Sequence, residues 1–136
     1  MKSKQRGFTL IEVMITAAII AILTAIAFPS YTRYLVRGKR AAAQALMYTA
    51  VSKQEQYMLN SRSFTSTFAD LKVNVPPEVS NNYTLSVTAD NAATPPTYYV
   101  EAVPAGGQAA NDSRCGTLRL TNTGTKTASG GGTDCW

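Results

Sequence analysis

From Phe8 to Phe28 the chain reads FTLIEVMITAAIIAILTAIAF, 21 residues in which Glu12 is the only charge. As a helix this stretch would extend about 30 Å, the thickness of a bilayer's hydrocarbon core. A short basic run, Lys2, Lys4 and Arg6, precedes it, so three readings compete: a secretory signal peptide, a permanent membrane anchor and a specialised leader. Ala25-Ile26-Ala27 is an A-x-A pattern closing an apolar stretch behind a positive region, as a signal peptide requires. Cleavage there would leave Phe28-Pro29 at the new N-terminus and place acidic Glu12 inside a segment that should be uninterrupted. A plain anchor meets the opposite difficulty, because a central carboxylate costs about 2.5 to 3.5 kcal/mol to insert, somewhat less near an end. Glu12 therefore needs a cation.

Composition narrows the classes further. With 136 residues the chain has room for one domain, and 45% hydrophobic against 15% charged residues is well below the usual charge content. Of the net charge of +5, three units come from residues 2, 4 and 6, which leaves ten basic residues facing eight acidic ones. Bulk charge of that size makes no case for nucleic acid. Histidine is absent, which removes Ser-His-Asp and Cys-His machinery and every His-ligated metal site. Two cysteines cannot build a four-ligand zinc or iron-sulfur site, and Asp112 and Asp134 are isolated oxygen donors. No carboxylate pair in a catalytic setting and no glycine-rich phosphate loop is recognisable. The expectation is a protein that is not an enzyme, with no cofactor and no metal.

The hexapeptide Gly7-Phe8-Thr9-Leu10-Ile11-Glu12, preceded by short basic residues and followed by the apolar run and Pro29, resembles the class III leader of type IV pilins and related pseudopilins. The resemblance implies that a prepilin peptidase, a membrane aspartyl protease, cuts after Gly7 on the cytoplasmic side. It further implies methylation of the new amine, giving N-methylphenylalanine at Phe8, and retention of the apolar segment as a transmembrane helix. The freed ammonium on Phe8 would lie four residues from Glu12, a spacing that puts two groups on one helix face. The assembly charge pair, Glu12 with the Phe8 amine, can close within one chain or between neighbours. The resemblance favours the adjacent subunit, where a buried charge with a single matching partner sets register.

Pro29 removes one helical hydrogen bond and either stops or kinks the helix. Beyond it Leu35, Ala42, Leu46, Ala50 and Tyr57 recur at helical spacing, and Ala41 to Ala45 has strong helix propensity. One interrupted helix from about Phe8 to Leu59 is expected, close to 80 Å long at 1.5 Å per residue, with its first half buried by lipid or by other copies. Many pilins carry a glycine within the apolar run where this chain has Ala21; Thr16, Ala17, Ala18, Thr24 and Ala25 still offer small surfaces for close packing. Arg33, Arg37, Lys39 and Arg40 read as a solvated helix face that also lies near lipid headgroups.

From Asn60 the composition turns to Ser, Thr, Asn, Gly and Pro, with breakers at Pro76-Pro77, Pro95-Pro96, Pro104 to Gly107 and Gly130 to Gly132. Residues 60 to 82 read as a long connection anchored by Phe64, Phe68 and Leu71. Alternation over 83 to 89, 98 to 103 and 117 to 121 predicts strands with Leu85, Val87, Val100, Leu118 and Leu120 inward, and Asn122 to Gly124 turns the chain into a weaker strand near Lys126. An antiparallel meander with one face on the helix follows.

Cys115 and Cys135 bracket the last strands with 19 residues between them. In an exported domain the default reading is a disulfide, worth roughly 3 kcal/mol for such a loop, against a free thiol as the alternative. Within the resemblance the enclosed segment matches the disulfide-bounded region of pilins. Gln108, Asp112, Cys115-Gly116 and Cys135-Trp136 look most like the small PilE-type minor pilins.

The expected architecture is α+β, the pilin fold: a long N-terminal helix packed against a small antiparallel sheet with a disulfide-bounded loop. Its parts are a leader at 1–7, a transmembrane and filament-core half at 8–28, a head half of the helix at 29–59, the connection at 60–82 and the sheet region at 83–136. The resemblance implies a structural subunit, a minor pilin, of a type IV pilus (fimbrium). Its partners would be other pilin subunits, the prepilin peptidase, the inner-membrane assembly platform and inner-membrane lipid before assembly. The subunit would then move to an extracellular pilus and serve pilus biogenesis, twitching motility or adhesion. A rival is a DNA-binding competence pilin, with Arg114, Arg119 and Lys126 contacting phosphate; ordinary surface charge is the plainer reading, since no aromatic and basic residues interleave along the sequence. A secretion pseudopilin is the other rival.

Overall fold

A computed structural model describes residues 7–136 of the chain. Residues 1–6, with the leader cations Lys2, Lys4 and Arg6, lie outside the described residues. Two compact units divide the chain after Leu35.

From Leu10 on, the first unit belongs to helix α1, Leu10–Ser61, which runs on through Pro29. Alanine and leucine have high helix propensity, and isoleucine adds apolar surface. Three threonines in this unit do not compete for the backbone, because their hydroxyls donate back to the helix. Thr16 reaches the Glu12 and Val13 carbonyls, Thr24 that of Ile20 and Thr32 that of Phe28. Such bonds keep each hydroxyl satisfied without water, as an apolar surrounding demands. The segment is long and apolar enough to cross a membrane, and its large side chains are exposed, Leu10 at 81% and Phe28 at 69%.

The second unit, Val36–Trp136, holds the core. Strands β1 (Tyr83–Asp90), β2 (Thr97–Pro104), β3 (Leu118–Thr121) and β4 (Lys126–Ala128) form one antiparallel sheet in the order β1-β2-β3-β4. The inner face presents Tyr83, Val87, Tyr98, Val100, Ala102, Leu118 and Leu120, which pack on Ala43, Met47 and Ala50 of α1. Leu85 is half-buried at its margin.

The buried stripe of α1 is Arg40, Ala43, Met47, Ala50 and Gln54, at intervals of three and four. It differs from the apolar set expected from sequence: Leu35 is exposed, and Ala42, Leu46 and Tyr57 only flank the core. Apolar counting skips positions 40 and 54 because they are polar, yet each is buried against waiting partners. Gln54 donates to the Thr65 carbonyl and accepts from the Thr65 amide, so both ends of its amide are paired. Arg40 therefore departs from the solvated-face reading of the cation cluster; Arg33, Arg37 and Lys39 remain exposed.

The 60–82 connection contains a 3-10 turn, Phe68–Leu71, and a one-turn helix α2, Pro77–Ser80. Phe64 and Leu71 are buried and Phe68 is half-buried. Asn91 clamps Phe64 by accepting from its amide and donating to its carbonyl, and Ser66 exchanges hydrogen bonds with Ala89 on β1. That contact covers part of an edge strand that would otherwise offer unpaired backbone groups. Between β2 and β3 a short helix α3, Gly106–Asn111, occupies a stretch read from sequence as a loop. Gly106 enters it at φ 52°, a conformation that suits glycine. Cys115 and Cys135 form the disulfide, with an S–S distance of 2.10 Å.

Candidate functional sites

At the N-terminal end of α1 the sequence Thr9-Leu-Ile-Glu12 closes on itself. The Glu12 amide donates to Thr9 Oγ1 at 3.3 Å and the Thr9 amide donates to Glu12 Oε2 at 3.5 Å. This reciprocal pair is a capping box, which satisfies two of the donors that every helix start leaves orphaned. Glu12 thus has a local partner in Thr9. The S/T-x-x-E pattern was visible in the sequence and carries this role independently of any charge pairing.

Within the head, the buried polar centre is built by four distant segments. Arg40 of α1 donates through Nε to Asp112 Oδ2 at 3.0 Å and through Nη1 to the Asp134 carbonyl at 2.7 Å. The same carboxylate oxygen accepts from the Tyr83 hydroxyl of β1 at 3.0 Å and from Gln108 of α3 at 3.2 Å. Gln108 also donates to the Tyr83 hydroxyl and to the Val36 carbonyl, so its nitrogen faces three acceptors while its Oε1 has no partner. The Asp112 carboxylate gathers α1, β1 and α3, and Arg40 carries the link on to the disulfide-bounded segment through the Asp134 carbonyl. From sequence, Gln108 stood only as a mark of family likeness, and Asp112 as that and as an isolated oxygen donor.

Burial pushes the Tyr83 hydroxyl up to about 12, with Gln108 opposing the rise and Asp112 adding to it. Tyr98, buried on β2, is raised as well, first by burial and then by its hydrogen bond to Glu55 at 2.7 Å. A tyrosine whose folded pKa lies above the unfolded value near 10 holds its proton more tightly in the native state. Its contribution to stability is complete below pH 10 and is lost as pH rises towards 12. Urea denaturation of the chain at pH 8, 10 and 11.5 should therefore show stability level to pH 10 and falling above it. Tyr98→Phe should make that alkaline fall shallower; an unchanged slope would count against the assignment.

The three cations read as phosphate contacts do not share a face. Arg119 lies on the outer face of the sheet, donating through Nε and Nη2 to Glu101 Oε1 at 3.0 and 2.8 Å, with its guanidinium 4.1 Å from the centre of the Tyr99 ring. Lys126 pairs in register with inward Leu120, so it points to the helix side, with Nζ 5.4 Å from Tyr48 and 5.8 Å from Trp136. Arg114 is exposed in the turn before Cys115. Aromatic and basic residues do interleave, but through the fold rather than along the sequence.

Comparison with known proteins bears on both segments. A family described as "Prokaryotic N-terminal methylation motif" matches residues 2–28, and one described as "Type IV minor pilin ComP, DNA uptake sequence receptor" matches residues 29–119. The chain is 35% identical over 91 residues to a fimbrial protein of Neisseria meningitidis serogroup B, a match covering 67% of this chain and 54% of that one. It is 36% identical over 86 residues to the type IV major pilin protein PilA of Myxococcus xanthus, covering 63% and 38% respectively. To the type IV major fimbrial protein FimA of Dichelobacter nodosus it is 62% identical over 39 residues, 29% of this chain and 25% of that one. The chain spans about half the length of the first of these relatives. With a pilin family matching residues 29–119 of the 136 and the methylation motif matching the segment before them, the chain belongs to the type IV pilins.

Proposed function

We propose that this pilin is a minor structural subunit of a type IV pilus, acting by assembly and not by turnover. In this reading the prepilin peptidase cuts between Gly7 and Phe8 and Phe8 is methylated. Residues 8–28 hold the subunit in the inner membrane, 29–59 form the helix of the head from Pro29 on, and 60–136 complete the head. The assembly platform then passes it into a filament with other pilins, with the head first periplasmic and then extracellular, in the service of pilus biogenesis, twitching or adhesion.

The observation that carries the minor role is the match of residues 29–119 to a family described as a minor pilin. The exposed apolar side chains of Leu10 to Phe28 support assembly through the helix, since surface of that kind is covered by lipid or by other helices. Intact-protein mass spectrometry on filaments sheared from cells, with quantitation against other subunits, is the test. The expected result is a mass beginning at Phe8, one methyl heavier and two hydrogens lighter, at a small fraction of the main subunit. Equal abundance would make it a major pilin, confinement of the mature form to the envelope would favour a pseudopilin, and a chain beginning at Phe28 would overturn the reading.

A second reading is DNA capture, which the description of that same family favours. Of the three cations, Arg114 is exposed and outside any ion pair among the described residues, whereas Arg119 is held by Glu101. DNA retardation at low salt should then weaken more in Arg114→Ala than in Arg119→Ala; no retardation by the parent chain ends this reading.

A further inference from the structure

Beside α1 in the head lies an open groove of about 340 Å³, lined by Arg37, Arg40, Gln44, Asp134 and Trp136 among others. Arg37, Arg40 and Gln44, three and four residues apart, share one helix face and form one wall. Residues 134–136 form the other wall, held by the Arg40 bond to the Asp134 carbonyl, the Gln44 bond to the Cys135 carbonyl, the disulfide, and the Trp136 Nε1 bond to the Thr127 carbonyl. The groove is therefore prebuilt by bonds that leave the Arg37 and Asp134 side chains free.

Its charges are separated. Arg40 is neutralised by Asp112 behind it. Arg37 and the Asp134 carboxylate are both exposed, and neither joins an ion pair among the described residues. One free cation thus stands on the helix wall and one free anion on the opposite wall, with the Trp136 indole as apolar surface. We propose that this groove binds a phosphate–amine zwitterion, a phosphate ester carrying a primary ammonium, as in the headgroup of an ethanolamine phospholipid. Arginine suits phosphate because its planar donors meet two oxygens at once. The ammonium pairs with Asp134, while Trp136, whose ring already has Lys126 Nζ 5.8 Å from its centre, supplies apolar surface for the ethylene carbons. A continuous polyanion fits less well, since its next phosphate would meet Asp134, and the volume lies at the small end of ligand sites.

Two sources offer this chemistry, a membrane lipid and a soluble ester. Arg37 follows Phe28 by nine residues (37 − 28) in the chain, so in the anchored subunit lipid is the source close at hand. Trp136 is the only tryptophan of the chain, and its fluorescence reports the groove directly. The full chain in maltoside micelles, titrated with glycerophosphoethanolamine, should give a saturable change. Arg37→Ala should weaken it at least tenfold. Asp134→Asn should weaken it severalfold without weakening any response to inorganic phosphate. In vesicles, an Arg37-dependent difference in emission between phosphatidylethanolamine and phosphatidylcholine assigns the lipid source; a response to the soluble ester alone assigns the other. Equal response to inorganic phosphate and to the ester overturns the zwitterion, and no response to the ester or to ethanolamine lipid overturns the site.

Discussion

Asp112→Ala should destabilise the head by about 3 to 5 kcal/mol, the loss typical when one partner of a buried ion pair is removed. The Arg40 side chain is 10% exposed and that of Asp112 3%, so water replaces the carboxylate at the guanidinium poorly. Without it Arg40 keeps only the Asp134 carbonyl, and the Tyr83 hydroxyl loses the acceptor to which it donates. The damage comes from the stranded charge rather than from the pair being strong. A double substitution, Arg40→Met with Asp112→Leu, should accordingly cost far less than the single one, because no buried charge is left behind. Urea denaturation of the three chains compares them. If Asp112→Ala loses under 1 kcal/mol, or the double variant loses as much as the single, the pair is not the buried centre described above.

That pair also marks where sequence reading stops. Arg40 and Asp112 are 72 positions apart, and nothing local distinguishes Arg40 from Arg37 or Lys39. Only the phase of the helix against the sheet decides which cation is buried. Apolar spacing located the helix correctly but placed its inner face slightly off, because two members of that face are an arginine and a glutamine with buried partners. The strands were legible for the opposite reason: Tyr83 to Ala89 and Tyr98 to Val103 alternate with period two, and burial of one face requires that. Lys126 was assigned to the same patch as Arg119, and the register across the turn after Thr121 separates them. Leu120 faces Lys126 and Arg119 faces Thr127; a slip of one residue would reverse both faces. Helix α3 escaped notice because its two glycines read as breakers, although its role is to carry Gln108 to the Tyr83 hydroxyl.

The second large effect concerns Glu12, where two explanations for one carboxylate can be pulled apart. If the charge is what assembly needs, pairing with the amine freed on Phe8, then Glu12→Ala and Glu12→Gln should both be processed after Gly7 and both fail to enter filaments. If the capping box with Thr9 is what matters, glutamine should suffice, since its side-chain oxygen can still accept from the Thr9 amide as glutamate does at 3.5 Å. The magnitudes favour charge. A cap contributes about 1 kcal/mol to a helix, and α1 has 52 residues to absorb its loss. A charge left unpaired in the membrane costs about 2.5 to 3.5 kcal/mol when central and somewhat less near an end, and in a charge-free variant the group left unpaired is the amine freed on Phe8. Because that stranded amine recurs at every variant subunit added, a charge-free variant should be excluded from filaments and not merely slowed. Quantitation of sheared filaments from cells expressing each variant reads the outcome. Absence of both from the filament supports the charge pair, and incorporation of Glu12→Gln at the parent level would leave Glu12 a helix cap and nothing more.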